Sequence, residues 1–141
     1  MKKLLLIILL PLQLFGQNTI GLPEIVNYPK DWYKAGLQNW DIKQDQQGII
    51  YFANNEGMLT FDGNYWNLFP LPNKTIVRSL EISTDGKIYV GGQDELGYFL
   101  PDNRGVLKYH NLVTTIAPKD RSFGDVWDIV SFKNHVFFRT N

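Results

Sequence analysis

Cysteine is absent from this 141-residue chain, and its absence excludes several kinds of site at once. Without a thiol there is no disulfide, no zinc site with cysteine ligands, no cysteine nucleophile and no lipid-modified N-terminal cysteine. Histidine is nearly as scarce, because His110 and His135 are the only two and neither has a second histidine or a carboxylate at ligand spacing. We therefore interpret both as surface or turn residues, and we expect no metal site and no histidine acting as a general base.

Net charge is lacking as well. The 14 Lys and Arg residues balance 14 Asp and Glu, and removal of Lys2 and Lys3 with a leader peptide leaves 12 against 14, a net charge of −2. A chain with a net charge so close to zero has no general electrostatic attraction for nucleic acid or for an anionic membrane surface. We expect neither as a partner of this segment.

No apolar run is long enough to span a bilayer. The N-terminal apolar stretch has about a dozen residues, whereas a spanning helix needs roughly 20. It follows Lys2 and Lys3 and ends at the small residue Gly16, which is the layout of a secretory signal peptide. We predict that residues 1–16 are a signal peptide and that the chain is exported to the periplasm. The alternative interpretation is a buried N-terminal helix.

Aromatic residues, glycine and proline are abundant, with 14% aromatics, 12 Gly and 7 Pro. Such a composition favours short strands and tight turns over helices. Trp40 and Ile42 alternate with Asp41 and Lys43, the pattern of a half-buried strand, and we expect the apolar pair to face inward. Residues 45–69 add three further strand patterns separated by turn signals. The first unit therefore contains four strands.

The pattern of this unit recurs along the chain. Matching residues of the first two copies are either 38 apart (Gly48 with Gly86, Tyr51 with Tyr89) or 40 apart (Ile42 with Ile82, Asp45 with Asp85, Gly57 with Gly97, Asp62 with Asp102). A third copy begins at Trp127, which lies 87 residues after Trp40. Four strands in a unit of about 40 to 47 residues are typical of a β-propeller blade.

We therefore predict an all-β chain of β-propeller blades with four antiparallel strands each, about two and a half blades and thus an incomplete ring. The predicted segments are the signal peptide at 1–16, an irregular lead-in at 17–37, blade 1 at 38–75, blade 2 with a connecting insert at 76–125, and a truncated blade 3 at 126–141. Trp32 and Tyr33 of the lead-in are expected to pack across the edge of the first unit. We expect the chain to be the N-terminal fragment of a longer protein, with an exposed sheet face and unpaired edges.

Motifs for catalysis or cofactor binding are lacking. The carboxylates recur mainly at turns, which indicates that they bond to the backbone there. A glycosidase instead needs two carboxylates that face each other across a cleft. Gly91-Gly92 is not followed by a helix pattern, which argues against a phosphate-binding loop. Asp62-Gly63-Asn64 lacks the spacing of an EF-hand and indicates a turn. We expect no catalytic residue, no metal and no cofactor in this segment.

Two features are candidates for ligand contact. Eight aromatic residues stand at strand-interior positions, which favours a place in the core between blades, with a sugar-binding platform as the alternative. They are Trp40, Tyr51, Phe52, Trp66, Tyr89, Tyr98, Phe99 and Trp127. The loop Gln93-Asp94-Glu95 is the most polar connection between blade strands. Gln93, Asp94 and Glu95 are therefore the candidate residues for ligand contact.

Several runs together carry a family resemblance: Trp40-Asp41-Ile42, Gly48-Ile49-Ile50-Tyr51-Phe52-Ala53-Asn54, Phe61-Asp62-Gly63, Val77-Arg78-Ser79-Leu80 and Gly86-Lys87-Ile88-Tyr89-Val90-Gly91-Gly92-Gln93-Asp94-Glu95-Leu96-Gly97-Tyr98-Phe99. With them, and with the predicted signal peptide, the chain resembles the two-component-regulator propeller proteins of Bacteroidetes-type bacteria. The resemblance covers roughly residues 23–138. It implies a periplasmic sensor made of one or two propellers, a Tyr-rich β-sandwich, a transmembrane helix and a cytoplasmic histidine kinase or LuxR-type helix-turn-helix domain. None of the parts after the propeller is recognised here.

From this resemblance we expect the N-terminal propeller part of a periplasmic ligand-sensing module of a two-component-type or transcriptional regulator. The expected partner is a small-molecule or oligosaccharide ligand, and the full-length protein is expected to form a homodimer and to reach the inner membrane through its C-terminal parts. The segment itself is not expected to be an enzyme. The alternative is an exported β-propeller enzyme acting on polysaccharide, a lyase or a glycosidase. An apolar run of about 20 residues after Asn141, followed by a kinase or helix-turn-helix pattern, would decide for the sensor.

Overall fold

A computed structural model of the chain describes Gly21 and residues 23–141. The predicted signal peptide lies outside these residues. Ten strands of the described part form two four-stranded antiparallel sheets and one hairpin, so the prediction of an all-β fold is confirmed. The sheets and the hairpin do not close into a ring. No helix in the described part is both long enough and apolar enough to cross a membrane.

Every strand pairs only with its neighbours in sequence. Sheet 1 comprises β1 (Asn39–Gln44), β2 (Ile50–Asn54), β3 (Gly57–Phe61) and β4 (Trp66–Phe69). Sheet 2 comprises β5 (Val77–Ile82), β6 (Ile88–Gly92), β7 (Leu96–Pro101) and β8 (Leu107–Asn111). The hairpin comprises β9 (Asp128–Phe132) and β10 (His135–Arg139), and the insert before it contains two short 3-10 helices, Val113–Thr115 and Pro118–Asp120.

The lead-in contains one short helix, α1 (Lys30–Tyr33), and packs on sheet 1. The Tyr28 ring lies 5.1 Å from Phe61 and 5.3 Å from Trp66, measured between ring centroids. Tyr33 lies 5.7 Å from Trp66, as the predicted edge packing requires. Trp32 differs from the prediction because its side chain is 63% exposed. The lead-in therefore contacts β3 and β4 through its aromatic rings, and Gly36 bonds to Asn54 at the end of β2.

Turn carboxylates are held by backbone amides. The Oδ1 atom of Asp45 accepts bonds from the amides two and four residues later, and Asp102 does the same. Asp62 accepts bonds from the amides two and three residues later. Such bonds are the ordinary chemistry of Asx turns, and they lower the pKa of Asp62 and Asp102. These carboxylates serve the turns, as the sequence indicated.

Asp85 makes a pH-dependent contribution to the β5–β6 turn. Bonds from Lys87 Nζ, at 2.5 Å, and from the Ser83 hydroxyl lower the pKa of Asp85 to about 2. Because the pKa is below the ordinary value of 3.8, the stabilisation is fully present above pH 3.8 and is lost as the pH falls through about 2. The Asp85 side chain is 53% exposed, so solvent screening keeps the expected effect of Asp85→Asn below about 1 kcal/mol.

Urea unfolding of wild type and Asp85→Asn at neutral pH and near pH 2 measures this effect. We expect the variant to be less stable at neutral pH and the two proteins to converge near pH 2. Asp120→Asn, at an exposed site in the insert, is the control. A difference between wild type and Asp85→Asn that stays constant with pH would contradict the assignment.

Each sheet has two faces, which we name from sheet 1. The front face carries Ile42, Ile50, Phe52 and Phe61, and the back face carries Asp41, Lys43, Tyr51, Ala53 and Met58. The back face of sheet 1 packs on the front face of sheet 2, where Leu80 and Val90 are fully buried. In the same sense, the back face of sheet 2 packs on the front face of the hairpin, where Ile129 is 3% exposed.

Strand register corrects the repeat offset read from the sequence. Ile42 pairs with Phe52 and Leu80 pairs with Val90, so Ile42 is equivalent to Leu80, 38 residues away, and not to Ile82. Gly57 and Gly97 are likewise not equivalent. A shift of two residues leaves every side chain on the same face, so alternation alone does not distinguish an offset of 38 from one of 40. The position of the β1–β2 and β5–β6 turns distinguishes the two offsets.

Candidate functional site

The first strands of successive units place one side chain outside the hydrogen-bonded ladder. In β1 the register shifts between Asn39 and Asp41, and in β5 it shifts between Val77 and Ser79. The residues at the two shifts are Trp40 and Arg78. Such irregularities redirect a side chain away from the regular alternation. Trp127 has the same position just before β9.

These three residues meet although they belong to three successive units. The Arg78 Cζ atom lies 4.0 Å from the Trp40 ring centroid and 5.0 Å from that of Trp127. The two indole centroids are 6.3 Å apart at an interplanar angle of 71°. We call Trp40, Arg78 and Trp127 the Trp–Arg–Trp cluster. A guanidinium over indole rings is a favourable cation–π arrangement.

Both indoles are fixed by the same bond. Trp40 Nε1 donates to Asn55 Oδ1, and Trp127 Nε1 donates to Asn141 Oδ1, each at 2.7 Å. Asn55 follows β2 and Asn141 follows β10, the second strands of their units. The same tryptophan–asparagine hydrogen bond therefore occurs in two units. Each tryptophan is nevertheless 40% exposed. The cluster thus presents aromatic surface in a fixed orientation at the ends of the first strands.

One carboxylate balances the charge of the cluster. Arg78 Nε lies 3.3 Å from Asp125 Oδ1, and the two side chains are 15% and 20% exposed. Arg78 Nη1 is buried, with no hydrogen-bond partner among the residues that the structure describes. The guanidinium is therefore mostly withdrawn from water and incompletely bonded. The surface that the cluster offers to a ligand is mainly that of the two indoles.

The predicted contact loop reaches this cluster indirectly. Gln93 forms an isolated bridge with Asp125, and Asp94 exchanges two bonds with Gly124, backbone N–H to the Gly124 carbonyl at 2.9 Å and Gly124 N–H to Asp94 Oδ1 at 2.7 Å. Gln93 and Asp94 thereby hold the segment that carries Asp125. Asp125 in turn forms the ion pair with Arg78. Gln93 and Asp94 thus connect sheet 2 to the segment before the hairpin, and they reach Arg78 only through Asp125.

Glu95 points elsewhere. It is 5% exposed, and its Oε1 atom accepts bonds from the Tyr109 hydroxyl at 2.6 Å and from Asn111 Nδ2 at 2.7 Å. Burial, followed by the bond to Glu95, raises the pKa of the Tyr109 hydroxyl. Glu95 therefore connects β7 to β8 inside sheet 2 and presents no carboxylate at the surface.

The cluster was not predicted from the sequence. From the sequence, Trp40 and Trp127 are expected in the core between blades; in the structure each contacts neighbouring units and is 40% exposed. Tyr51 and Phe99, which the same interpretation places in the core, are buried between sheet 1 and sheet 2. A usable signal was present, since an asparagine follows each tryptophan after 15 or 14 residues.

A second concave surface lies between the lead-in and the front face of sheet 1. Its volume is about 450 Å³, and its lining consists of apolar, aromatic and amide side chains. A smaller depression of about 240 Å³ adjoins it and includes Trp40, Ile42 and Phe52. Both are open, and they share Asn39 and Phe52. The front face of sheet 1 is therefore an apolar groove that is continuous with Trp40.

In the part of the chain that the structure describes, no group of three or more His, Asp or Glu side chains is placed to hold a metal ion. The chain matches no protein-family model, no curated protein and no solved structure.

Proposed function

We propose that the chain is part of an exported ligand-sensing β-propeller module, in which sheets 1 and 2 are blades and the hairpin begins a third. The observation that carries this proposal is the constant sense of packing. The back face of each unit covers the front face of the next, and the first strands β1, β5 and β9 stand side by side. Radial repetition of four-stranded sheets in one sense is the architecture of propellers.

The sensing role is supported by three features. The layout of residues 1–16 is that of a signal peptide, the repeat resembles that of periplasmic regulators, and the Trp–Arg–Trp cluster offers oriented aromatic surface at the first-strand ends. Binding sites combine such aromatic surface with a few polar groups that fix orientation. We propose an extracytoplasmic carbohydrate as the ligand, with the response transmitted by the C-terminal parts of a two-component-type or transcriptional regulator.

The experiment that tests this function is a glycan screen on the purified chain, followed by calorimetric titration of each glycan that binds. We expect Trp40→Ala and Trp127→Ala each to weaken binding about tenfold or more, equivalent to about 1.4 kcal/mol, because each removes a stacking surface. Trp32→Ala is the matched control, since Trp32 is exposed but lies outside the cluster. Failure of every glycan to bind, or equal affinity in all three variants, would contradict carbohydrate sensing by the cluster.

A further inference from the structure

The lead-in follows the same path into sheet 1 that the chain follows from sheet 1 into sheet 2. Before sheet 2, the chain leaves β4 at Phe69 and Pro70 and then crosses to β5. Before sheet 1, it passes Tyr28 and Pro29 and then crosses, through α1, to β1. Each crossing therefore starts with an aromatic residue that is followed by proline.

The two aromatic residues make the same contact. Tyr28 lies 5.1 Å from Phe61 and Phe69 lies 5.8 Å from Phe99, measured between ring centroids, and both pairs have an interplanar angle of 63°. By strand register Phe61 and Phe99 are equivalent residues of the two sheets. Tyr28 thus packs on the front face of sheet 1 as Phe69, the last residue of β4, packs on the front face of sheet 2.

Both crossings also contain a lysine in the left-handed conformation. The φ angle of Lys34 is 49° and that of Lys74 is 55°. The Lys34 amide donates to the Lys30 carbonyl at 2.8 Å, and the Lys74 amide donates to the Leu71 carbonyl at 2.9 Å. A positive φ is uncommon for a residue other than glycine, so its recurrence indicates that the same kind of turn closes both crossings.

Each crossing then passes over the end of a second strand. Asn54 ends β2, and its Nδ2 atom donates to the carbonyls of Gly36 at 2.7 Å and Gln38 at 3.2 Å. By register Gly92 is equivalent to Asn54, and a Cβ atom added to Gly92 would lie 2.5 Å from the Ile76 carbonyl oxygen. The backbone of the second crossing therefore lies directly on Gly92. The two crossings agree at their start, in their turn and at their end.

We propose that residues 24–28 are the fourth strand of a further four-stranded unit, whose back face covers the front face of sheet 1. The partner of this strand is the third strand of that unit, which pairs with it antiparallel as β3 pairs with β4. Residues 24–28 make no backbone hydrogen bond to any other residue that the structure describes, so sheets 1 and 2 do not use their edges. Addition of a strand to such an edge is a common mode of recognition.

The inference rests on the propeller part of the proposed function and not on its ligand. In a closed ring the unit that precedes sheet 1 is the last blade. Its sheet then contains one strand from the lead-in and three strands from the other end of the propeller. The lead-in is therefore the segment that joins the first blade to the last one.

Insertion of a copy of residues 38–64 between Pro23 and Glu24 tests the proposal. The copy supplies three strands and a β3–β4 turn directly ahead of residues 24–28, and Glu24 takes the place of Tyr65 after Asn64. The control insertion has one additional glycine after the copy, which moves the pairing by one residue and reverses the faces. Circular dichroism shows whether the strands are intact, and hydrogen–deuterium exchange with mass spectrometry follows residues 24–28.

We expect exchange at residues 24–28 to slow about tenfold or more in the in-register insertion, because the ladder protects these amides. In the control, exchange should stay near that of the unmodified chain. The in-register copy should also cover Ile42, so Ile42→Ala should lower the midpoint of urea unfolding more there than in the unmodified chain. Fast exchange with Ile42 covered would overturn the strand assignment alone. Fast exchange with Ile42 still exposed would count against the propeller as well.

Disulfide trapping gives an independent result if the insertion unfolds the chain. Val26→Cys introduces the only thiol, since the chain has no cysteine. A synthetic peptide of residues 56–64 with Thr60→Cys supplies the third strand, because Thr60 pairs with Asn67, the equivalent of Val26. The control peptide carries Leu59→Cys, whose thiol lies on the opposite face. We expect the Thr60→Cys peptide to be trapped about fivefold faster in a glutathione buffer. Equal trapping of the two peptides would overturn the proposal.

Discussion

Leu80→Ala is expected to lower the free energy of unfolding by about 2–5 kcal/mol, the largest effect among the substitutions considered. Leu80 is fully buried between the two sheets, and its neighbours include Tyr51, Val77 and Val90. Truncation removes apolar contact on both sides of this layer and leaves a cavity that strand backbones fill poorly.

The matched comparison is Ile42→Ala, which makes a similar truncation at the equivalent position of sheet 1. Because Ile42 is 58% exposed, its truncation should cost less than about 1 kcal/mol. Urea unfolding measures both. Equal costs would mean that the front face of sheet 1 is as well covered as that of sheet 2, contrary to the structure.

Arg78→Ala is expected to lower the free energy of unfolding by about 2–3 kcal/mol, because one side chain joins three units. The substitution removes the contacts with both indoles and leaves Asp125, whose side chain is 20% exposed, without its ion pair. Arg78→Lys keeps the charge but loses the planar group that stacks on Trp40, so an intermediate loss is expected.

A double-mutant cycle with Asp125→Ala separates the ion pair from the stacking. We expect Arg78→Ala and Asp125→Ala to be non-additive by about 0.5–3 kcal/mol, as is usual for residues in contact. Additive effects, together with a full retention of stability in Arg78→Lys, would show that Arg78 contributes only as a surface charge.

Much of the fold was accessible from the sequence because the local signals agree. The repeat of a four-stranded unit predicted eight strands in the first two units, and the structure has all eight. Turns marked by Asp and Gly, such as Asp45 with Gly48, are among the signals that separate them. The turn role of the carboxylates followed from the same pattern. The predicted insert is also present, with two short 3-10 helices that periodicity does not indicate.

The faces and the candidate site were less accessible. Alternation assigns Trp40 and Ile42 to one side of β1 but does not say which side another sheet covers, and the covered side is that of Asp41. The Trp–Arg–Trp cluster joins residues 38 and 49 positions apart through a tertiary arrangement, so no local pattern contains it. Glu95 was expected at the surface because its loop is polar, whereas two bonds from β8 hold it inside.

The purely sequential strand pairing has a kinetic consequence. Each ladder of a sheet closes only a short turn, so its entropic cost of formation is small and a single sheet can form early. Contacts between sheets join residues far apart in the chain, such as Asp41 with Leu80 and Ser79 with Val126. Folding should therefore proceed unit by unit. The contacts between the faces of neighbouring units make the folding of one unit favour that of the next. A defect in a ladder would stay within its own unit, whereas a defect on a face would be transmitted to the neighbouring one.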